Sequence, residues 1–152
     1  MATAGSPGGG NPTLDALMAA IREDKEMYFF YGSLMDAGIL QRVTGLREKP
    51  TLTPARIEGY RIKMWVQYPA LLDGDPGSMV HGMACVVEGA QAKDRLEQYE
   101  TVNYKKVWCT IQMGNGTYVS GTTFMWAGDK SDLKEGTFDL KDWQMEHVLD
   151  GL

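Results

Sequence analysis

The chain has 152 residues, 43% of them hydrophobic and 23% charged, which is one domain's length with enough apolar material for a substantial core. A formal net charge of −5, with no cluster of Lys and Arg to offset it, argues against a nucleic-acid binder held by phosphate contacts. No apolar run approaches the roughly 18 residues of a membrane-spanning helix, so no membrane partner is expected. The first ten residues have neither a basic nor an apolar leader region and do not read as a secretory signal. Residues 1–12 are expected to form a flexible tail, and residues 13–152 a single domain. Leu14, Leu17, Met18 and Ile21 then fall on one helical stripe over residues 13–22, with Thr13 as its cap.

Residues 27–31 are apolar on both faces, as in a central strand, and break at Gly32 into a helix over 36–43 carrying Ile39, Leu40 and Val43. From 55 to 67, Ile57, Ile62, Met64 and Val66 predict one bent strand or two successive ones, with Gly59 at the bend. Residues 68–72 lead into the turn-rich Asp73-Gly74-Asp75-Pro76-Gly77-Ser78. A strand over 79–88 follows, then a helix over 90–100 with Ala92, Leu96 and Tyr99 toward the core. Residues 104–113 alternate, with Val107, Cys109, Ile111 and Met113 on one face. Asn115-Gly116 turns the chain into a partner strand that ends at Trp126. Asp139 caps a last helix reaching Leu149, with Leu140, Trp143, His147 and Val148 inward. Neighbouring strands with hairpin signals, flanked by helices, predict an α+β fold: a mostly antiparallel, curled sheet or small barrel with helices at its edges.

Cys85 and Cys109 lie far apart in apolar strand contexts and read as buried free thiols of a reducing compartment, so a cytoplasmic location is expected. His81 and His147 are isolated, and no Cys, His or acidic pair has zinc or iron spacing; no metal and no cofactor is expected. Residues 5–10 lack the Lys-Ser/Thr end of a phosphate loop. The turn Tyr31-Gly32-Ser33-Leu34 joins a strand to a helix, and its backbone N–H groups suit a carboxylate or a developing oxyanion. Gly32 gives the backbone dihedrals closed to other residues and lets a ligand approach the main chain. Ser33 has no nucleophile elbow or histidine partner around it. The same segment also fits an ordinary strand-to-helix connection. Glu100, taken alone, fits a solvated carboxylate at a helix end, as does Glu97 one turn earlier. Trp65, Tyr68 and Trp108 read as packing rather than a stacking platform, and Tyr104 fits either a pocket wall or the core.

Four segments in order change that balance: Tyr31-Gly32-Ser33-Leu34, Tyr68-Pro69-Ala70, Gly77-Ser78-Met79-Val80-His81-Gly82, and the run from Leu96 to Lys106 that contains Glu100. Together they resemble the gamma-glutamylcyclotransferase-like superfamily, in its avirulence-induced-gene-like branch, over about residues 27–126. Thr101 stands where that family usually has Gly after the catalytic Glu, Lys105 and Lys106 replace a commoner Arg, and Phe124 replaces a frequent Tyr. The acid/base position is retained.

The resemblance implies an enzyme that cleaves a γ-glutamyl amide, with the glutamyl α-amine attacking its own γ-carbonyl to release 5-oxoproline and an amine. It implies Glu100 as the catalytic residue, Tyr31, Gly32, Ser33, Leu34 and Tyr104 around the substrate, and a small γ-glutamyl compound as the partner. The step is intramolecular, so orientation supplies much of the rate, and one carboxylate can take the proton and return it. Burial against Tyr99 and Tyr104 is expected to raise the Glu100 pKa toward the working pH. Two other readings stay open: a catalytically silent binding module with the same pocket, and an enzyme recruited to another cyclisation or amide cleavage. The leaving amine and the oligomeric state are not legible.

Overall fold

The computed structural model describes residues 24–100 and 102–147. Strand β1 (Lys25–Phe30) passes through a 3-10 turn (Ser33–Met35) into α1 (Ala37–Thr44), and β2 (Thr53–Glu58) and β3 (Tyr60–Trp65) follow. Next come β4 (Tyr68–Asp73), β5 (Met79–Glu88) and α2 (Ala90–Glu100). The long strands β6 (Tyr104–Met113) and β7 (Tyr118–Trp126), a second 3-10 turn (Lys130–Asp132) and α3 (Leu140–His147) complete the described chain. Five strands in the order β1-β5-β2-β6-β7 form a closed barrel. Its pairings are antiparallel except where β1 meets β7 in parallel, at Tyr28 and Thr122. This is the α+β curled sheet with helices at its edges that the sequence predicts.

β1 is apolar on both faces because each face meets a different core. Tyr28 and Phe30 pack with Leu40 of α1 and with Ala92 and Leu96 of α2, whereas Phe29 and Tyr31 pack with Ile57, Leu71 and Ile111 among the strands. Closure needs β7 to approach β1 very closely: a Cβ on Gly121 would lie 2.7 Å from the Met27 carbonyl oxygen. Asp36 caps α1, its carboxylate accepting from the Gly38 and Ile39 N–H groups at 2.8 and 3.1 Å. Gly59 takes φ 88 at the bend between β2 and β3, which are two strands rather than one bent one. Both cysteines are buried and free. Among the described residues, no helix is long and apolar enough to cross a membrane, and no three His, Cys, Asp or Glu side chains cluster to hold a metal.

Several local expectations need correction. Residues 68–72 lead into the turn as expected but are themselves most of a strand, β4, which pairs with β3 in a separate two-stranded sheet. Pro69 is tolerated there because such a sheet has edges on which a missing N–H costs nothing. Val66 belongs to the turn between these strands, with φ 56 and 82% exposure. The β6–β7 hairpin does close over Gly114-Asn115-Gly116 as the sequence predicts, with the Gly116 N–H bonded to the Met113 carbonyl. Tyr99 lies on the rim and is 41% exposed, and Trp108 is 75% exposed on β6, so neither has the packing role read for it. α3 has no buried residue. The tail 1–12, the stripe over 13–22, Thr101, Val148 and Leu149 lie outside the described residues.

Candidate active site

The end of β1, the tip of the β3–β4 hairpin and the end of α2 converge on one cavity of about 320 Å³. Residues 29–34 form one wall, Trp65, Tyr68 and Pro69 the second, and Tyr99, Glu100, Asn103, Tyr104 and Phe124 close it. Its size suits a small organic molecule. All six residues proposed from the sequence, Tyr31, Gly32, Ser33, Leu34, Glu100 and Tyr104, line it.

Glu100 reaches the cavity through the periodicity of α2. Ala92 and Leu96 are its buried residues, and a residue four positions on shares their face one turn further along. Glu100 therefore rides the stripe that packs on the barrel instead of pointing to water. Burial pushes its carboxyl up to about 7 from the ordinary 4.5. No ion pair among the described residues involves it. The Tyr104 hydroxyl is raised by burial first and by the Glu100 charge second, and burial and that charge also raise Tyr99. These shifts are consistent with a carboxylate held in a poorly hydrated, aromatic setting.

The hydroxyls around it are already engaged. Tyr31 donates to the Phe124 carbonyl at 2.5 Å and accepts from the Leu71 N–H at 3.3 Å, which ties β1 to β7 and β4. Tyr104 donates to the Pro69 carbonyl at 2.9 Å, fixing the hairpin against β6. Ser33 and Tyr99 share a hydrogen bond of 2.7 Å between the turn and α2. Gly32 sits at φ −124, outside the left-handed region that glycine alone enters freely. Its reason is space: a Cβ would lie 3.1 Å from the Pro69 side chain. In the 3-10 turn the Met35 and Asp36 N–H groups bond back to the Gly32 and Ser33 carbonyls. The Ser33 and Leu34 N–H groups belong to its first turn, whose donors have no partner within the turn.

Sequence reasoning missed Trp65, Tyr68, Pro69, Tyr99, Asn103 and Phe124 as cavity residues. Tyr68-Pro69-Ala70 was visible as a motif, but nothing local shows that a strand pair outside the barrel turns it toward Glu100.

A small closed barrel with a desolvated carboxylate that shares a cavity with a strand-to-helix turn defines a compact α+β class. The sequence family described as gamma-glutamyl cyclotransferase, AIG2-like, matches residues 28–145, and the chain belongs to it. No curated protein matches. Among solved structures, an Arabidopsis thaliana protein determined in solution is similar with a TM-score of 0.64 and 19% identity, over 84% of this chain and 77% of that one. An AIG2-like protein of Mus musculus gives 0.57 and 16%, over 76% and 88%. A gamma-glutamyl cyclotransferase gives 0.56 and 14%, over 68% of each chain. These likenesses establish the fold.

Proposed function

We propose that the protein is a cyclotransferase acting on γ-glutamyl amides, and that Glu100 is its proton shuttle. The observation that carries this reading is a helix-end carboxylate desolvated to a pKa of about 7 in a cavity shared with the turn at Gly32, Ser33 and Leu34. An ordinary surface glutamate is already ionised two units lower and makes a poor base near neutrality.

Glu100 takes a proton from the substrate α-ammonium. The freed amine attacks the γ-carbonyl carbon, closing a five-membered ring, and the carbonyl oxygen becomes an oxyanion that the Ser33 and Leu34 N–H groups meet. Collapse breaks the C–N bond as Glu100 gives its proton to the leaving nitrogen; the carboxylate then takes the second proton from the ring nitrogen, leaving a neutral lactam N–H, and that proton passes to the released amine, which departs as its ammonium. The products are 5-oxoproline and a free amine, and no water is consumed. The curled geometry supplies much of the rate. Tyr31, with both hydroxyl capacities used, acts as wall, and Tyr104 holds the hairpin.

Incubation with a panel of γ-glutamyl amides, following 5-oxoproline and amine together, tests the reading. Equimolar release of both from at least one amide is expected. Binding without release would favour a silent module, and amine release without 5-oxoproline would indicate hydrolysis.

A further inference from the structure

Trp65 and Tyr68 flank the two-residue tip of the β3–β4 hairpin and are register partners across it. Both line the cavity, with ring centroids 6.3 Å apart. Trp65 is backed by Trp126 at 5.0 Å and meets the Tyr104 ring edge-on at 6.5 Å. Tyr104 shares the cavity with Glu100, so an aromatic wall runs from the reacting end out to the hairpin tip. Among the described residues that line the cavity, Glu100 alone carries a charge, and the cyclisation reading commits it to the glutamyl amine. The hairpin wall therefore offers a second carboxylate no cation and a second ammonium no counter-ion, while it offers ring faces to a flat group.

We propose that Trp65 and Tyr68 form the leaving-group subsite, and that it selects the amide of an arylalkylamine, whose side group is flat and uncharged, over that of an amino acid, a diamine or a small alkylamine. The proposal rests on the cyclotransferase reading for the chemistry but not for the binding. A phenyl ring sliding against the indole and phenol replaces hydrated aromatic surface with offset or edge contacts, which a two-carbon alkyl group is too small to make.

The test uses the whole protein and four probes: γ-glutamyl-2-phenylethylamide, γ-glutamylethylamide, γ-glutamylphenylalanine and γ-glutamyl-4-aminobutylamide. The phenylethylamide should exceed each of the others by about tenfold or more in kcat/KM, with the difference from the ethylamide mainly in KM. Trp65→Ala should collapse the phenylethyl-to-ethyl ratio to within about threefold, whatever the absolute rates, and Trp65→Phe should keep most of it. Equal use of the phenylethyl and ethyl amides by the wild type overturns the proposal. So does a preference for the phenylalanine or aminobutyl compound, or a ratio that survives Trp65→Ala. If none of the four releases 5-oxoproline, the cyclotransferase reading fails separately, and the neutral amide N-acetyl-2-phenylethylamine then decides the subsite. Titration calorimetry should show it binding to wild type and Trp65→Phe and at least about tenfold more weakly to Trp65→Ala; no binding to the wild type, or equal binding to Trp65→Ala, overturns the proposal.

Discussion

Glu100 owes its raised pKa to its position: it extends the buried Ala92–Leu96 stripe of α2 by one more turn, into a cavity instead of a core. Glu100→Gln keeps the shape and cannot accept a proton, so kcat should fall by roughly two to four orders of magnitude with little change in KM. The wild-type rate should rise through a pKa near 7, a limb absent from any residual activity of the variant. Turnover within about tenfold of wild type would remove Glu100 from the mechanism. The neighbouring turn allows a paired test. A Cβ at Gly32 already comes within 3.1 Å of Pro69, so Gly32→Val must displace the hairpin wall or the turn, and turnover should collapse. Ser33→Ala removes only the bond to Tyr99 and leaves the backbone N–H groups, so its loss should stay within about tenfold. A severe Ser33→Ala defect beside a mild Gly32→Val one would show that side chains, not the main chain, hold the substrate.

At the level of elements, the β3–β4 hairpin supplies one wall of the cavity. It lies outside the barrel sheet and is tethered by Leu71 to Tyr31, by Pro69 to Tyr104, and by the paired Met64 and Lys134 backbone groups. Its tip also meets His147 of α3 through Gln67, at 3.2 Å. The strain in this element sits at Val66, a β-branched residue at φ 56 with no packing to compensate for it. Val66→Asn should therefore stabilise the protein by about 1 kcal/mol, raising Tm by roughly 2–4 °C, because Asn tolerates the left-handed region better. An unchanged or lower Tm would mean that the side chain at the tip makes a contact worth more than the strain. Val66 also marks the limit of what was legible. The alternation through Ile62 and Met64 continues onto it, and the two-residue turn Val66-Gln67 between the paired Trp65 and Tyr68 carries no Gly, Asn, Asp or Pro to signal it. The helix over 90–100 and the β6–β7 hairpin were readable because their signals are local: a 3.6-residue apolar stripe and an Asn-Gly turn. The place of Trp65 in the cavity was not, because it meets Tyr104 and Trp126 only through tertiary packing.

For the whole molecule, closing the barrel and sealing α2 against it carries a cost concentrated in one carboxyl group. The folded protein binds the Glu100 proton with a pKa of about 7, whereas an ordinary carboxyl titrates near 4.5. Between those values the native state holds more proton than the unfolded chain, so stability falls as pH rises. The contribution is fully present below about 4.5, is lost as pH passes through about 7, and stays lost above it. At about 1.4 kcal/mol per unit, and discounted because the residue is partly accessible, the loss comes to roughly 1–3 kcal/mol. On the proposed mechanism, the ionised form that acts as the base is the less stable form, a trade common at functional sites. Other groups titrate in the same window, so the clean measurement is a difference. Melting curves of wild type and Glu100→Gln should nearly coincide around pH 4.5 and separate with rising pH, the Gln variant ending roughly 2–10 °C higher by about pH 8. A gap that stays constant across that range would mean that Glu100 titrates as it does in the unfolded chain. The base assignment would then lose its physical ground, however the variant behaves in the rate assay.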